Sequence, residues 1–302
     1  LSNIVIKVDH GGIQTLKDFY NPFIIDRTPP GAVFSAKLTN CTITAYKSGK
    51  VLFQGSAAQQ EANRWEKTAK TAPSQTENEL QQLQQMSVIG SDEAGTGDYF
   101  GPITVAAVFV PKEKRKLVQQ LGVKDSKALT DKQVFSIANT LIEKVPYSLL
   151  ILRNEKYNQL QKSGMNQGKL KAILHNQAIH HLLKKISPDK PEAVLIDQFA
   201  EPNVYFQYLK DRDVPFKDIT IFKPKAEHIH ISVAAASIIA RYAFLKELNS
   251  LSNAAGFYLP KGASHTVDEA AAKLIKEKGK NTLGKMAKLH FANTEKALNL
   301  LN

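Results

Sequence analysis

Two adjacent acids end a short apolar run in Ser91-Asp92-Glu93-Ala94-Gly95-Thr96-Gly97-Asp98-Tyr99-Phe100-Gly101-Pro102. Neighbouring carboxylates can hold a divalent cation, and the glycines after them let a sugar-phosphate backbone approach the main chain closely. Successive strand residues point to opposite faces. For both carboxylates to reach one site, the backbone is therefore expected to bend right after Asp92. A third acid, Asp197, ends the apolar run Ala193-Val194-Leu195-Ile196. That position is the carboxyl edge of a sheet, where α/β sites usually lie. A fourth, Glu227, stands just before the small and apolar run 231–241. Each acid alone has a plainer reading. Asp92 and Glu93 could be solvated in a turn, Asp197 could be a cap or loop acid, and Glu227 could simply stabilise a helix N-terminus. His228 and His230, flanking Ile229, read as structural or surface residues.

Four carboxylates without a histidine–cysteine cluster favour hard, oxygen-loving cations, Mg²⁺ or Mn²⁺. Two such ions about 3.5–4 Å apart can clamp the attacking and leaving oxygens of an in-line phosphoryl displacement. The substrate's phosphates need a basic surround, which Lys124, Lys127, Lys223, Lys225 and Lys261 could supply from predicted loops. Singly, each reads as well as a solvated surface lysine. The whole chain agrees in sign: 40 Lys and Arg against 28 Asp and Glu give +12 over 302 residues. That balance favours a polyanionic partner. No apolar run approaches the roughly 20 residues of a membrane crossing, so nucleic acid is expected rather than a membrane. The single cysteine, Cys41, excludes an intrachain disulfide and a multi-thiolate zinc site. It reads as an inert small residue, and a reducing, cytoplasmic setting and a monomer are expected.

The elements that must position these residues follow from the pattern. Residues 86–302 alternate strands (87–91, 103–110, 147–152, 193–197, 219–222) with helices (from Thr130 to about 143, 167–185, 231–248), which is an α/β domain. Thr130 with Gln133, and Thr266 with Glu269, read as capping boxes, the second opening a helix to about residue 278. A last helix is predicted over 286–301. Residues 1–70 read as a separate unit: a strand at 4–8, a helix over 13–20, strands at 33–38, 41–46 and 51–54 around a turn at Lys47-Ser48-Gly49-Lys50, then a helix-forming stretch at 57–70. Residues 71–85 hold Pro73, Ser74 and five glutamines and suit a linker, partly helical at its end.

Together these pieces resemble type 2 ribonucleases H, and most closely the ribonuclease HIII branch. Asp92-Glu93-Ala94-Gly95-Thr96-Gly97 resembles the family's Asp-Glu-Ala-Gly-x-Gly signature. Asp125-Ser126-Lys127-Ala128-Leu129-Thr130 resembles its Asp-Ser-Lys-x-Leu segment, the strand ending in Asp197 its third acid, and 232–241 its Ser-x-Ala-Ala-Ser-Ile-x-Ala-Lys helix, with Arg241 for Lys. The likeness covers roughly 86–268, and four ordered motifs are highly specific. Ribonuclease HII usually carries Asp as its fourth acid, Gly-Arg-Gly in the first motif and Lys-Gly-Tyr-Gly near its end. Here those positions read Glu227, Gly95-Thr96-Gly97 and Lys261-Gly262-Ala263-Ser264, which puts cleavage at isolated ribonucleotides in doubt.

The resemblance implies a ribonuclease H-like fold, a central mixed sheet flanked by helices, after a small TATA-binding-protein-like α+β domain at 1–70. It implies an endonuclease that cuts the RNA strand of RNA/DNA hybrids with two divalent ions on Asp92, Glu93, Asp197 and Glu227. Gly95, Thr96 and Gly97 are then expected to meet ribose 2′-hydroxyls, and Ser126 and Lys127 to contact substrate. The N-terminal unit carries nine Lys and Arg against five Asp and Glu, and the resemblance implies that it grips the hybrid. Phe34, Tyr46, Phe53, Lys37, Lys47 and Lys50 are its candidate contacts, with core packing the equal reading for the aromatics. Two other functions stay open: junction cleavage of the HII type, and a hybrid or DNA binder without activity.

Overall fold

The computed structural model describes residues 2–65, 75–123 and 126–301, without the side chains of residues 2, 10 and 75–78. The expected helix beyond residue 65, the start of the linker, and Lys124 and Asp125 lie outside the described residues. The chain divides into two compact units, Leu1–Leu80 and Gln81–Asn302.

The first unit is a four-stranded antiparallel sheet, ordered β1 (Ser2–Lys7), β4 (Lys50–Gly55), β3 (Thr42–Tyr46), β2 (Ala32–Lys37). One face packs on the helices His10–Phe19 and Ala58–Arg64. The first helix starts three residues before the sequence pattern suggests. Asp9 caps it by accepting the Gly12 N–H at 2.6 Å, and a side chain at Gly12 would press on Val8. Phe34 and Phe53 belong to the helix-covered core with Leu16, Ile43 and Trp65, so of their two readings core packing holds and the binding face does not. Alternation puts Lys37, Tyr46 and Lys50 on the other face, and Lys47 is exposed in the turn after β3. The glutamine-rich stretch is helical over Gln75–Gln85.

The second unit is built on a mixed sheet ordered β7 (Tyr147–Leu152), β6 (Ile103–Val110), β5 (Val88–Ala94), β8 (Ala193–Asp197), β9 (Thr220–Lys223). The β5–β6 and β6–β7 pairs are antiparallel, and the β5–β8 and β8–β9 pairs are parallel. All eight residues of β6 are buried, since helices cover both faces. Helix Ile231–Ala255 lies on one face. Its run of Ser232, Ala234, Ala235, Ala236 and Ser237 keeps its surface low, so it approaches closely enough that a Cβ at Gly90 would strike the Ser232 main chain. Helix Gln167–Ile186 covers the other face, against Ile89, Val105 and Ile196.

Four expectations are corrected here. Strand β5 does not bend after Asp92 but keeps its pairing through Glu93 to Ala94 opposite Thr104. The Thr266–Glu269 capping box is absent: helix His265–Lys278 has its N-cap two residues earlier, at Ser264, and Thr266 pairs with the Ser264 hydroxyl at 2.9 Å. The last helix, expected over 286–301, covers only Asn293–Asn299: a separate short helix, Lys280–Met286, ends where it was expected to begin, and Ala287 after it is extended and bridges Phe100. Lys223 lies in β9 rather than in a loop. The Thr130–Gln133 capping box has both halves.

Candidate active site

The parallel register between β5 and β8 ends at Ser91 beside Ile196. One step further, Asp92 and Asp197 stand at the same level on neighbouring strands, at the carboxyl edge of the sheet. Because β5 runs straight, its two acids leave opposite faces. Asp92 points toward helix Ile231–Ala255, where the Ser237 hydroxyl bonds it. Ser237 in turn lies 2.8 Å from the Ser126 hydroxyl. Glu93 points to the other helix: Lys171 Nζ donates to Oε1 at 2.8 Å, and His175 Nε2 lies 2.9 Å from Oε2. His175 Nδ1 contacts the Ser91 hydroxyl at 2.7 Å, and its ring stacks on Phe199.

Asp197 Oδ1 accepts the Ala226 N–H at 2.9 Å, which ties β8 to the 3₁₀ turn Ala226–His228 carrying Glu227. The turn is entered through Lys225 in the left-handed region (φ 55°). Glu227 is 8% exposed, and its Oε2 is enclosed with no hydrogen-bond partner. Lys127 Nζ, on a side chain 79% exposed, lies 3.5 Å from Glu227 Oε1. Glu227 also borders a cavity of about 210 Å³ lined by Arg115, Gln119 and His230.

The electrostatics follow from this crowding. Burial pushes the Asp92 carboxyl up to about 8, and Glu93 and Asp197 push the same way against the Ser237 hydrogen bond. Burial also raises Asp197, opposed by the Ala226 N–H and reinforced by Glu227 and Glu93. Glu93 goes down: burial would raise it, but His175 and Lys171 outweigh that. Among the described residues, no three acidic, histidine or cysteine side chains already converge as a metal cage. The four carboxylates instead ring the strand ends. They fit hard divalent cations nonetheless. All the donors are oxygens, one buried oxygen lacks any partner, and the burial and mutual repulsion that raise Asp92 and Asp197 are what a cation would offset.

The glycine loop lies beside the acids. Gly95 has φ +86°, and a Cβ there would meet the Pro102 carbonyl and the Phe244 ring. Gly97 is different: nothing within the protein lies near where its Cβ would be. The fold needs the first glycine, and the second leaves room for something outside the chain. Gln167 Nε2 donates to the Thr96 carbonyl at 3.0 Å. Ser126 is buried, and its carbonyl accepts from Arg241, which also donates to Asp131 at 2.7 Å. Lys261 joins Asp131 at 2.7 Å, and His230 caps the central helix as a structural residue. Lys225 is exposed in its turn.

Sequence reasoning missed Gln167, Lys171 and His175. The signal was there in their spacing of four, which puts all three on one stripe of one helix. That stripe holds the Thr96 carbonyl, Glu93 and Ser91 in turn.

A mixed five-stranded sheet covered by helices on both faces, with buried acids at its carboxyl edge, matches the ribonuclease H class of nucleases, which hydrolyse phosphodiesters. The family described as Ribonuclease HII matches residues 89–294, and a domain of unknown function, DUF3378, matches residues 3–78. Ribonuclease HIII of Bacillus velezensis is 56% identical over 309 residues, covering 100% of this chain and 98% of that protein. Ribonuclease HIII of Bacillus subtilis is 56% identical over 308 residues, covering 99% and 98%. The crystal structure of Bst-RNase HIII in complex with Mn²⁺ matches with a TM-score of 0.76 at 48% identity, covering 100% and 99%. The chain belongs to the type 2 ribonuclease H family, in its ribonuclease HIII branch.

Proposed function

We propose that this chain is an endonuclease that hydrolyses the RNA strand of RNA/DNA hybrids and leaves 5′-phosphate and 3′-hydroxyl ends. The observation that carries this reading is the β5–β8 register, which sets Asp92 level with Asp197 beside a buried Glu227 oxygen that lacks a partner. Asp92, Glu93, Asp197 and Glu227 would hold Mg²⁺ or Mn²⁺. When bound, two such ions supply activation of water and stabilisation of the leaving 3′ oxygen.

The protein's own residues do the positioning. Lys171 and His175 fix both oxygens of Glu93, and the Ser126–Ser237 chain fixes Asp92. Lys127, extended into solvent beside Glu227, can meet a phosphate next to the cut. Main-chain groups of Gly95, Thr96 and Gly97 select ribose by its 2′-hydroxyl. With the Ser126 hydroxyl and carbonyl both engaged, its contribution is to hold the Lys127 turn in place. Lys47 and Lys50 of the N-terminal unit contact phosphates of the hybrid. The enzyme works as a monomer in the cytoplasm.

The test is cleavage of a labelled hybrid with Mg²⁺, Mn²⁺ or chelator, beside duplex DNA, duplex RNA and a duplex with one ribonucleotide. Metal-dependent cutting confined to the RNA strand of the hybrid is expected, with weak action on the single ribonucleotide. Asp92→Asn should abolish cleavage and leave hybrid affinity largely intact, and near-normal cleavage by that variant would sink the metal assignment.

A further inference from the structure

Lys288, outside the group of side chains that surround the acids, is 0% exposed. It lies in the segment between the short helices Lys280–Met286 and Asn293–Asn299, where its carbonyl accepts the Phe291 N–H at 3.1 Å to close a turn. Its Nζ donates to the Asp98 carbonyl at 2.7 Å and to the Gly101 carbonyl at 2.6 Å. The Asp98 carboxylate is engaged elsewhere, accepting the Gly262 N–H at 2.6 Å. Enclosing an ammonium on neutral carbonyls is costly, and removing it would take the side-chain donor from the Asp98 carbonyl, so the lysine and the loop are held to one another. Burial pushes the Lys288 ammonium down to about 7, with Asp98 pulling the other way.

What Lys288 holds is the far half of the glycine loop. Main-chain bonds fasten the same stretch: Lys288 N–H to the Tyr99 carbonyl and Gly101 N–H to the Met286 carbonyl, both at 2.9 Å. Asn154 Nδ2 donates to the Gly101 carbonyl at 2.8 Å, so that oxygen receives two side-chain donors. Gly101 is itself in the left-handed region (φ +83°), packed against Phe244. The near half is fixed by Gly95 and by Gln167 on the Thr96 carbonyl. Between these anchors the exposed turn at Gly97 has little freedom left.

We infer that Lys288 is a positioning residue for ribose selection: by holding the Asp98 and Gly101 carbonyls it fixes the main chain of residues 95–97 in the orientation that meets a 2′-hydroxyl. The C-terminal segment thereby belongs to the specificity apparatus although it touches no substrate. This inference rests on the reading that the glycine loop recognises ribose.

The experiment compares full-length wild type, Lys288→Met and Asn154→Ala on hybrids whose RNA strand is all-ribose or carries one 2′-deoxy sugar beside the cut. The readout is the ratio of kcat/KM between the two substrates, with the thermal shift on adding Mn²⁺ measured alongside. The wild-type ratio should be large. Lys288→Met should shrink it roughly ten- to a hundredfold, as expected for a small displacement of a recognition group, while the Mn²⁺ shift persists. Asn154→Ala, which removes one of the two side-chain donors to the Gly101 carbonyl, should shrink it less; it carries the test if Lys288→Met does not fold. A folded variant with the wild-type ratio overturns the role of Lys288, as does a wild-type ratio in Asn154→Ala when it alone folds. A wild type indifferent to the 2′-deoxy sugar overturns the loop reading itself.

Discussion

Asp92 and Glu93 are chemically similar neighbours with opposite environments. Glu93 is neutralised by two nitrogen groups, whereas Asp92 faces a hydroxyl and other acids, so burial and repulsion raise it. Such a divergence within one site is a mark of function, because a fold selected for stability alone would not leave a buried carboxylate so poorly compensated. His230 gives a separable prediction at the same scale. It is buried, caps the central helix by accepting the Ser232 N–H at 3.1 Å, and is pushed down to about 4, first by burial and then by Arg115. Its folded value lies below its unfolded one. Between about 6.5 and 4 the unfolded chain therefore binds the extra proton, and stability is lost as pH falls through that window. The loss attributable to His230 is on the order of 2–3 kcal/mol. His230→Asn keeps a capping oxygen and cannot titrate there. Urea midpoints at pH 7, 5.5 and 4.5 should fall less steeply in the variant, with the other titrations common to both proteins.

At the scale of elements, the contact between β5 and helix Ile231–Ala255 decides where Asp92 and Ser237 meet. Gly90→Ala would put a methyl group into the Ser232 main chain. It should cost about 3 kcal/mol and lower cleavage by moving Asp92 away from Ser237. Thermal unfolding of the variant showing no loss would mean that the two elements can slide apart. This contact shows what could be read from the chain and what could not. The strands at 103–110, 147–152 and 193–197 were bounded correctly because each is a predominantly apolar run between polar or breaking residues. The placement of Asp197 at the end of its strand and of Glu227 just before the central helix was legible, because an apolar run ends at the one and a buried helix begins after the other. The straight passage of β5 through both acids was not legible. It depends on β6, whose pairing continues to Thr104 and holds Glu93 in the strand. Lys171 and His175 escaped for a related reason: helical periodicity shows that they share a stripe but not which strand that stripe faces. The late start of the last predicted helix, at Asn293 rather than 286, is tertiary as well, since Ala287 is drawn into a bridge with Phe100.

At the scale of the molecule, the chain combines a unit that carries acids into a sheet edge with a smaller, basic unit. Clustered carboxylates repel phosphates, so affinity for a hybrid has to come from cations placed elsewhere. The N-terminal sheet supplies exposed Lys37 and Lys50 on the face away from its helices, with Lys47 exposed in the adjoining turn. Removing residues 1–70 should weaken hybrid binding far more than it slows turnover at saturating substrate. It should also flatten the dependence of affinity on salt, by about one unit of slope for each phosphate that the truncated protein no longer neutralises. Binding isotherms at several salt concentrations would decide this, and an unchanged affinity would remove the unit from substrate capture.

The register that sets Asp92 beside Asp197 joins strands far apart in the chain. The connection between helix Gln167–Ile186 and β8 is exposed at residues 187–190. A break there would leave Asp92 and Glu93 on one fragment, and Asp197 and Glu227 on the other. Neither fragment would own a complete set of acids, and β5 would lack its parallel neighbour until the two met. Fused to two other proteins, the halves would form a split reporter whose signal is the cut RNA strand and whose background is set by their spontaneous reassembly.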